Sequence, residues 1–476
     1  MADLTPDIFF GTISEISAKL RAKEFSCVEL TRAFCDRLEK IGRRYNAVAV
    51  SLREQAIRQA HDVDDELHRD RTRGPLQGIP YGAKDLLAVK GHPTTWGAPP
   101  LAGQVFDEDA LVVQKLKKAG AILIGKLSMI ELAGGGDYRF ASASLQGPGL
   151  NPWDKSRWAG GSSSGSAAAT AAGTVAFALG SETSGSIITP AAFCGVTGLR
   201  PTYGLVSRRG AMALSWTLDK IGPLCRSAED CAHVLQAISG KDVEDPGSAG
   251  KGFTYTPQFT RKPQDITVGY APVDFAEWPD PKVRAGLQAA LEVVKGLGVK
   301  MKEVTLPDFP YGSIVGMIIA GEAGSIFEEF IRSGKVDQLA DPNQAAGLKA
   351  ALEVPAVEYL RAMRVRRLVQ EALNKLFLDV DMLLAPARMD VAPSATEPLD
   401  GSPARPRPAE RGLNGLIPAG NLAGLPALSL PCGLVDGLPI GISMVARPFY
   451  ENQLIAMGKA FQGKTDWHRR RPPVEA

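Results

Sequence analysis

Two clusters of small and hydroxyl-bearing residues stand out for the chemistry they permit. They are Gly160-Gly161-Ser162-Ser163-Ser164-Gly165-Ser166 and Gly180-Ser181-Glu182-Thr183-Ser184-Gly185-Ser186. Glycine lets a backbone approach another group closely and take positive φ. A serine hydroxyl becomes a nucleophile when a base removes its proton. Two such loops meeting at one place would bring hydroxyls and backbone N–H groups together, which is what acyl transfer needs. GGSSSGS on its own also reads as a flexible linker. Against that, an Ala-rich run (Ala167–Ala172) and an apolar run (Val175–Leu179) follow directly, and the pattern recurs after twenty residues.

The base is the open question. The five histidines (61, 68, 92, 233 and 468) lie neither in nor beside the clusters, and no pair has metal-ligand spacing. No GxSxG elbow is well placed after a strand. No phosphate loop or dinucleotide fingerprint is present, so neither a metal nor an organic cofactor is expected. Lysine remains, and Lys84 lies in GIPYGAK, a segment otherwise free of charge. A free lysine titrates near 10.4 and is useless as a base at neutral pH. Burial can lower that by several units, and a hydroxyl between it and a nucleophile can relay the proton. Lys84 reads equally as a surface residue paired with Asp85, and the residues alone leave both readings open.

The elements around these clusters must position them. Ala167–Ala172 predicts a helix and Thr174–Leu179 a buried strand. Residues 11–70 read as helical. Ile79–Asp85 reads as a short strand running into a loop, 110–119 as a helix and 121–125 as a strand. Val196–Leu205 reads as a Gly-rich loop and 227–238 as a helix. The order strand 266–270, helix 281–297, strand 299–304 is the βαβ rhythm of a sheet covered by helices. Residues 312–376 predict a helical cap, and 388–413 a long Pro/Arg-rich loop or lid. Strands at 382–385, 427–430 and 440–445 and a helix at 451–462 complete the chain. Strands at both ends of the central clusters point to one large α/β domain over residues 1–476. It has a helical lead-in (1–70), a core (75–240), the cap and C-terminal strands with a final helix (380–465).

Composition sets bounds. Hydrophobic content of 45% and charge of 22% are ordinary for a globular protein. A net charge of +2 supplies no field for nucleic acid or membrane. Six scattered cysteines read as reduced core residues. Without a signal-peptide pattern or an 18-residue apolar run, the expected location is the cytoplasm.

GIPYGAKDLL, GGSSSGSAAATAAG and GSETSGSIITPAAFCGVTGLRPTYGLVSR resemble, in order and spacing, the amidase signature family. NLAGLPALSLPCG and GLPIGISMVARPF are similar to its tail segments, and the resemblance spans about residues 10–465. It implies one α/β/α domain around a large twisted mixed sheet. It implies Ser186 as the acylated nucleophile, Ser162 as a bridging serine after a cis peptide, and Lys84 as the general base. The N–H groups of Thr183, Ser184, Gly185 and Ser186 match the oxyanion hole. Ser163 and Ser164 are expected to be structural. Ser164 and Ser184 depart from glycine, and Ile188 replaces an arginine common in the family, which removes a partner for an anionic substrate group.

Two activities follow as expectations. One is a stand-alone amidase acting on neutral, hydrophobic or aryl amides, with anilide, carbamate (urethane) or ester analogues sharing the intermediate. Its partners would be a small-molecule amide and water, with a homodimer left open. Tyr138, Met212, Leu214, Trp216, Ile188 and Asn414 are the candidate pocket residues. The alternative is the A subunit of an aspartyl/glutamyl-tRNA amidotransferase, which releases ammonia from glutamine. Against it, Asn414 stands where that protein places an aspartate for the amino group of glutamine, and the helical region 330–376 lacks its arginine motif. A third, non-enzymatic reading, a catalytically dead binding relative, sits poorly with intact Lys84, Ser162 and Ser186.

Overall fold

A computed structural model describes residues 4–257, 262–400 and 412–474. Short apolar runs bounded by Gly or Pro become strands and the amphipathic stretches become helices, several opened by reciprocal capping boxes such as Thr12/Glu15 and Ser26/Glu29. Eleven strands form one sheet. In spatial order they are Val48–Ser51, Ile122–Leu127, Pro80–Lys84, Phe177–Glu182, Lys220–Cys225, Thr197–Arg200, Ala427–Val435, Leu438–Ala446, Met382–Pro386, Thr267–Tyr270 and Lys300–Glu303. Pro80–Lys84 is parallel to both its neighbours, and Thr267–Tyr270 to both of its own. The remaining pairings are antiparallel, so the sheet is mixed.

Helices cover both faces, and the strand alternation sorts the core into two layers. Leu428, Leu430, Ile442 and Met444 face one hydrophobic cluster, whereas Ala427, Leu383, Ala385 and Val445 face another. The second layer is closed by the expected cap. Its helices Tyr311–Ile326 and Ala356–Asp379 bury Ile314, Ile318, Val369, Leu373 and Phe377 against those strands. The chain is thus a single α/β domain. All six cysteines are free and buried. Among the described residues no helix is long and apolar enough to cross a membrane.

Three strands of this sheet were not expected, nor was the separate antiparallel pair Leu150–Asn151 and Asp154–Trp158. Val48–Ser51 interrupts the helical lead-in and forms a sheet edge. Thr197–Arg200 lies inside the segment read as a loop. Its glycine marks close packing instead, since a Cβ on Gly198 would sit 2.7 Å from that of Ala191. Lys220–Cys225 is central although it contains Pro223, which argues against an interior strand. Its ladder to Thr197–Arg200 involves only Leu224 and Cys225, so Pro223 lies just past the end of that ladder. Of the 388–413 loop, residues 401–411 lie outside the described residues.

Candidate active site

Pro80–Lys84 and Phe177–Glu182 run parallel side by side, so their C-terminal ends, Lys84 and Glu182, reach the same edge of the sheet. The helix Ser164–Ala171 starts directly after the first serine run. These three ends meet. Lys84 Nζ lies 2.7 Å from Ser162 Oγ, 3.0 Å from Ser163 Oγ and 3.0 Å from Ser181 Oγ. Lys84 is 0% exposed, and Asp85 pairs instead with Lys126 at 2.7 Å. The surface-lysine reading therefore fails. Burial lowers the Lys84 pKa to about 7, against the opposing pull of Asp219 and Glu182. The Gly161–Ser162 peptide is cis, as the resemblance implied.

Ser186 sits at the end of the second cluster and is 9% exposed. Its carbonyl accepts from the Ser163 N–H at 3.3 Å, which ties the two clusters together. Its hydroxyl has no hydrogen-bond partner among the described residues. None of the N–H groups of Thr183, Ser184, Gly185 or Ser186 donates to an acceptor there either. Gly185 takes φ +89°, a conformation that favours glycine, and this lets the turn present consecutive N–H groups. The turn is held from behind by Glu182, whose Oε2 accepts from the N–H groups of Ile187 and Ile188 at 2.9 and 3.0 Å. Its Oε1 accepts from Arg200 Nη1 and Asn421 Nδ2, each at 2.8 Å. Burial alone would raise the Glu182 pKa, but Arg200 and Lys220 hold it down at about 2. Asp219 orders the adjoining wall, accepting from Thr183 Oγ1 at 2.6 Å and from the N–H groups of Leu214 and Ser215.

Two cavities flank this centre. The first, about 240 Å³, is walled by Ser181, Thr183, Ala133, Leu86 and the expected Met212, Leu214 and Trp216. The second, about 280 Å³, holds the expected Ile188 and Asn414 beside Ile417, Arg200, Arg388 and Ser443. Tyr138 lines neither of them. It stacks edge-on against Trp158 and packs beside Gly161. The candidate pocket residues thus fall on three sides of the centre instead of forming one pocket.

Sequence reasoning missed several participants. Ser163, read as structural, also bears on the site, because its hydroxyl touches Lys84 and donates to the Ser181 carbonyl at 3.1 Å. Ser181 and Glu182 lay in the recognised cluster, and their hydroxyl and charge were the available signal. Arg388 had no local signal, because it reaches the cavity from a strand end two hundred residues away. It also brings a cation, from a different element, to the wall that Ile188 lines. Among the described residues no group of three His, Cys, Asp or Glu could hold a metal ion.

Hydroxyls gathered round one buried amine on a mixed sheet define a class, the amide hydrolases of α/β architecture. The chain belongs to the Amidase family, whose profile matches residues 29–455. The A subunit of the glutamyl-tRNA(Gln) amidotransferase of Moorella thermoacetica is 37% identical to it over 98% of this chain and 99% of its own length. A chain from a vestigial protein complex that reveals the evolutionary origins of an s-triazine catabolic enzyme superposes with a TM-score of 0.86 at 30% identity. It covers 98% of this chain and 100% of its own. The peptide amidase of Stenotrophomonas maltophilia superposes with a TM-score of 0.81 at 29% identity, covering 98% and 99%.

Proposed function

We propose that the chain hydrolyses amides through an acyl-enzyme on Ser186. The observation that carries this reading is the buried Lys84 amine 2.7 Å from Ser162, with a pKa near neutrality. Neutral Lys84 takes the proton of Ser162, which takes that of Ser186 as its Oγ attacks the carbonyl carbon. The N–H groups of residues 183–186 receive the oxyanion, each worth about 10²–10³ in rate. Collapse returns the proton along the same path to the leaving nitrogen, and water then repeats the cycle to release the acid. The apolar wall of Met212, Leu214 and Trp216 supports hydrophobic or aryl amides, with carbamates and esters as analogues of the same intermediate. No metal or cofactor enters this scheme, and a cytoplasmic location fits it. A fluorophosphonate should label Ser186, and Ser186→Ala should abolish both labelling and turnover while the fold survives. An adduct mapped by mass spectrometry to Ser163 or Ser164 would overturn the assignment.

A second reading has its own support. Identity of 37% over 98% of the chain to the A subunit of an amidotransferase favours glutamine as ammonia donor and a partnered assembly. The family comparisons weigh for this reading more than for an aryl preference. The uncharged, exposed Asn414 in the second cavity weighs against it, because an amide is a poor partner for the ammonium of glutamine. Ammonia release from glutamine, measured beside release from an aryl amide, decides between them.

A further inference from the structure

The second cavity has a charge pattern that the hydrolytic scheme leaves unused. Among the described residues its wall carries two arginines, Arg200 and Arg388, and no aspartate or glutamate. It opens beside the nucleophile's turn. Ile188, two residues after Ser186, lines it, as does Ile417, which comes close enough to Gly185 that a Cβ there would meet it at 3.3 Å.

The two arginines differ in what they have to spare. Arg200 is buried. Its Nε donates to the Leu425 carbonyl at 3.0 Å and its Nη1 to Glu182 at 2.8 Å, but its Nη2 has no partner. Glu182 balances its charge, so what Arg200 has to spare is that one donor, which lies beside Gly420. Ser429, paired across the ladder with Ser443 of the cavity wall, also keeps a buried hydroxyl without a partner. Arg388 is exposed, with its guanidinium 5.6 Å from the centroid of the Phe193 ring, and it forms no ion pair or hydrogen bond among the described residues. Tyr138 and Asp390 lie near enough to act on it but are not part of the wall. Arg388 therefore supplies net positive charge to the wall and Arg200 one unspent donor. A carboxylate satisfies both, since guanidinium forks match carboxylate oxygens. A zwitterion would bring its ammonium to two cations and a neutral Asn414.

We propose that this cavity takes a carboxylate on the acyl part of the substrate, so that the substrates are mono-amides of short dicarboxylic acids. The inference rests on the amidase reading. Its chemistry needs nothing beyond that scheme: the amide C–N bond breaks, water supplies the hydroxyl and the proton, and a dicarboxylate and an amine leave.

The test compares succinic acid mono-p-nitroanilide with its methyl ester, which differ in that one charge. The wild-type enzyme should favour the acid by roughly tenfold or more in kcat/KM. Arg388→Gln should cut this acid-to-ester ratio about tenfold, and Arg388→Lys, which keeps the charge without the fork, should restore part of it. Succinate should bind the wild type and protect Ser186 from fluorophosphonate labelling, with an affinity that falls about tenfold in Arg388→Gln and weakens with added salt. A wild type that prefers the ester, or an Arg388→Gln variant with unchanged ratio and unchanged succinate affinity, overturns the inference. Succinate binding that depends on Arg388, without turnover of either anilide, would uphold the subsite and overturn the amidase reading instead.

Discussion

At Lys84 the hydrogen-bond inventory decides the direction of the proton. A neutral amine has two N–H donors and one lone pair. The Ser163 hydroxyl gives its own hydrogen to the Ser181 carbonyl, so it accepts from Lys84. Ser181 can take the other N–H, which leaves the lone pair for the Ser162 proton. Protonated Lys84 has no lone pair to offer. With a pKa of about 7, kcat/KM on a neutral substrate should rise about tenfold per pH unit below 7 and level off above it. Initial rates from acid to alkaline pH check this. Lys84→Ala should lose most of the rate and the rising limb together. Lys84→Arg should lose activity too, because arginine stays protonated, and a Lys84→Arg variant with wild-type rate and profile would show that the base lies elsewhere. Lys84, Ser162 and Ser186 were singled out in the sequence because their segments match a family motif in order and spacing. The choice between base and surface cation was not legible there, because it depends on burial and on Asp85 having Lys126 as its partner.

The elements fix the geometry that the residues use. The turn at 183–186 depends on Gly185 at φ +89° with Thr189 Oγ1 and Ile417 closing round it, at 3.2 and 3.3 Å from any added Cβ. Gly185→Ala should strain the turn and lower kcat by about 10²-fold, the effect of losing one oxyanion donor, while KM changes little. Steady-state kinetics separates the two. Glu182 joins that turn to the strand Thr197–Arg200 and the helix Leu416–Leu422. Glu182→Gln breaks a buried ion pair, and about 3–5 kcal/mol of stability should go with it, read from urea unfolding. Folded Glu182 keeps its charge down to about pH 2, whereas an unfolded glutamate titrates near 4.3. Its contribution is therefore present above about pH 4.3 and lost as the pH falls towards 2. Glu182→Gln should flatten the acid limb of stability. The sequence pattern predicted the helices Leu111–Lys118, Ala228–Ile238, Pro281–Lys295 and Glu451–Gln462 closely. It missed Thr197–Arg200 and Lys220–Cys225 because Gly198 and Pro223 carry loop signals, and only their neighbours in the sheet show why they are tolerated.

The whole molecule gathers its centre from one stretch and its walls from another. The hydroxyls and the amine come from residues 84–186, while Arg388, Asn414 and Ile417 come from the second half of the chain. Asn414 was singled out in the sequence only through the family resemblance, and nothing local announces Arg388 or Ile417, which is why the second cavity was the least legible part of the site. The purified chain alone should turn over an aryl amide, and dialysis against a chelator should leave that rate unchanged. A rate restored only by added zinc or by a second protein would sink the first reading of function. The hub at Glu182 also has a consequence in time. Its partner Arg200 is made almost at once, but Asn421 and the strands beyond it arrive more than two hundred residues later. At about 5–20 residues per second, a ribosome leaves the catalytic stretch waiting for roughly 10–50 s. During that interval the nascent chain carries central strands whose neighbours do not yet exist, and the newborn protein is most exposed to aggregation just when all its reactive serines are already present.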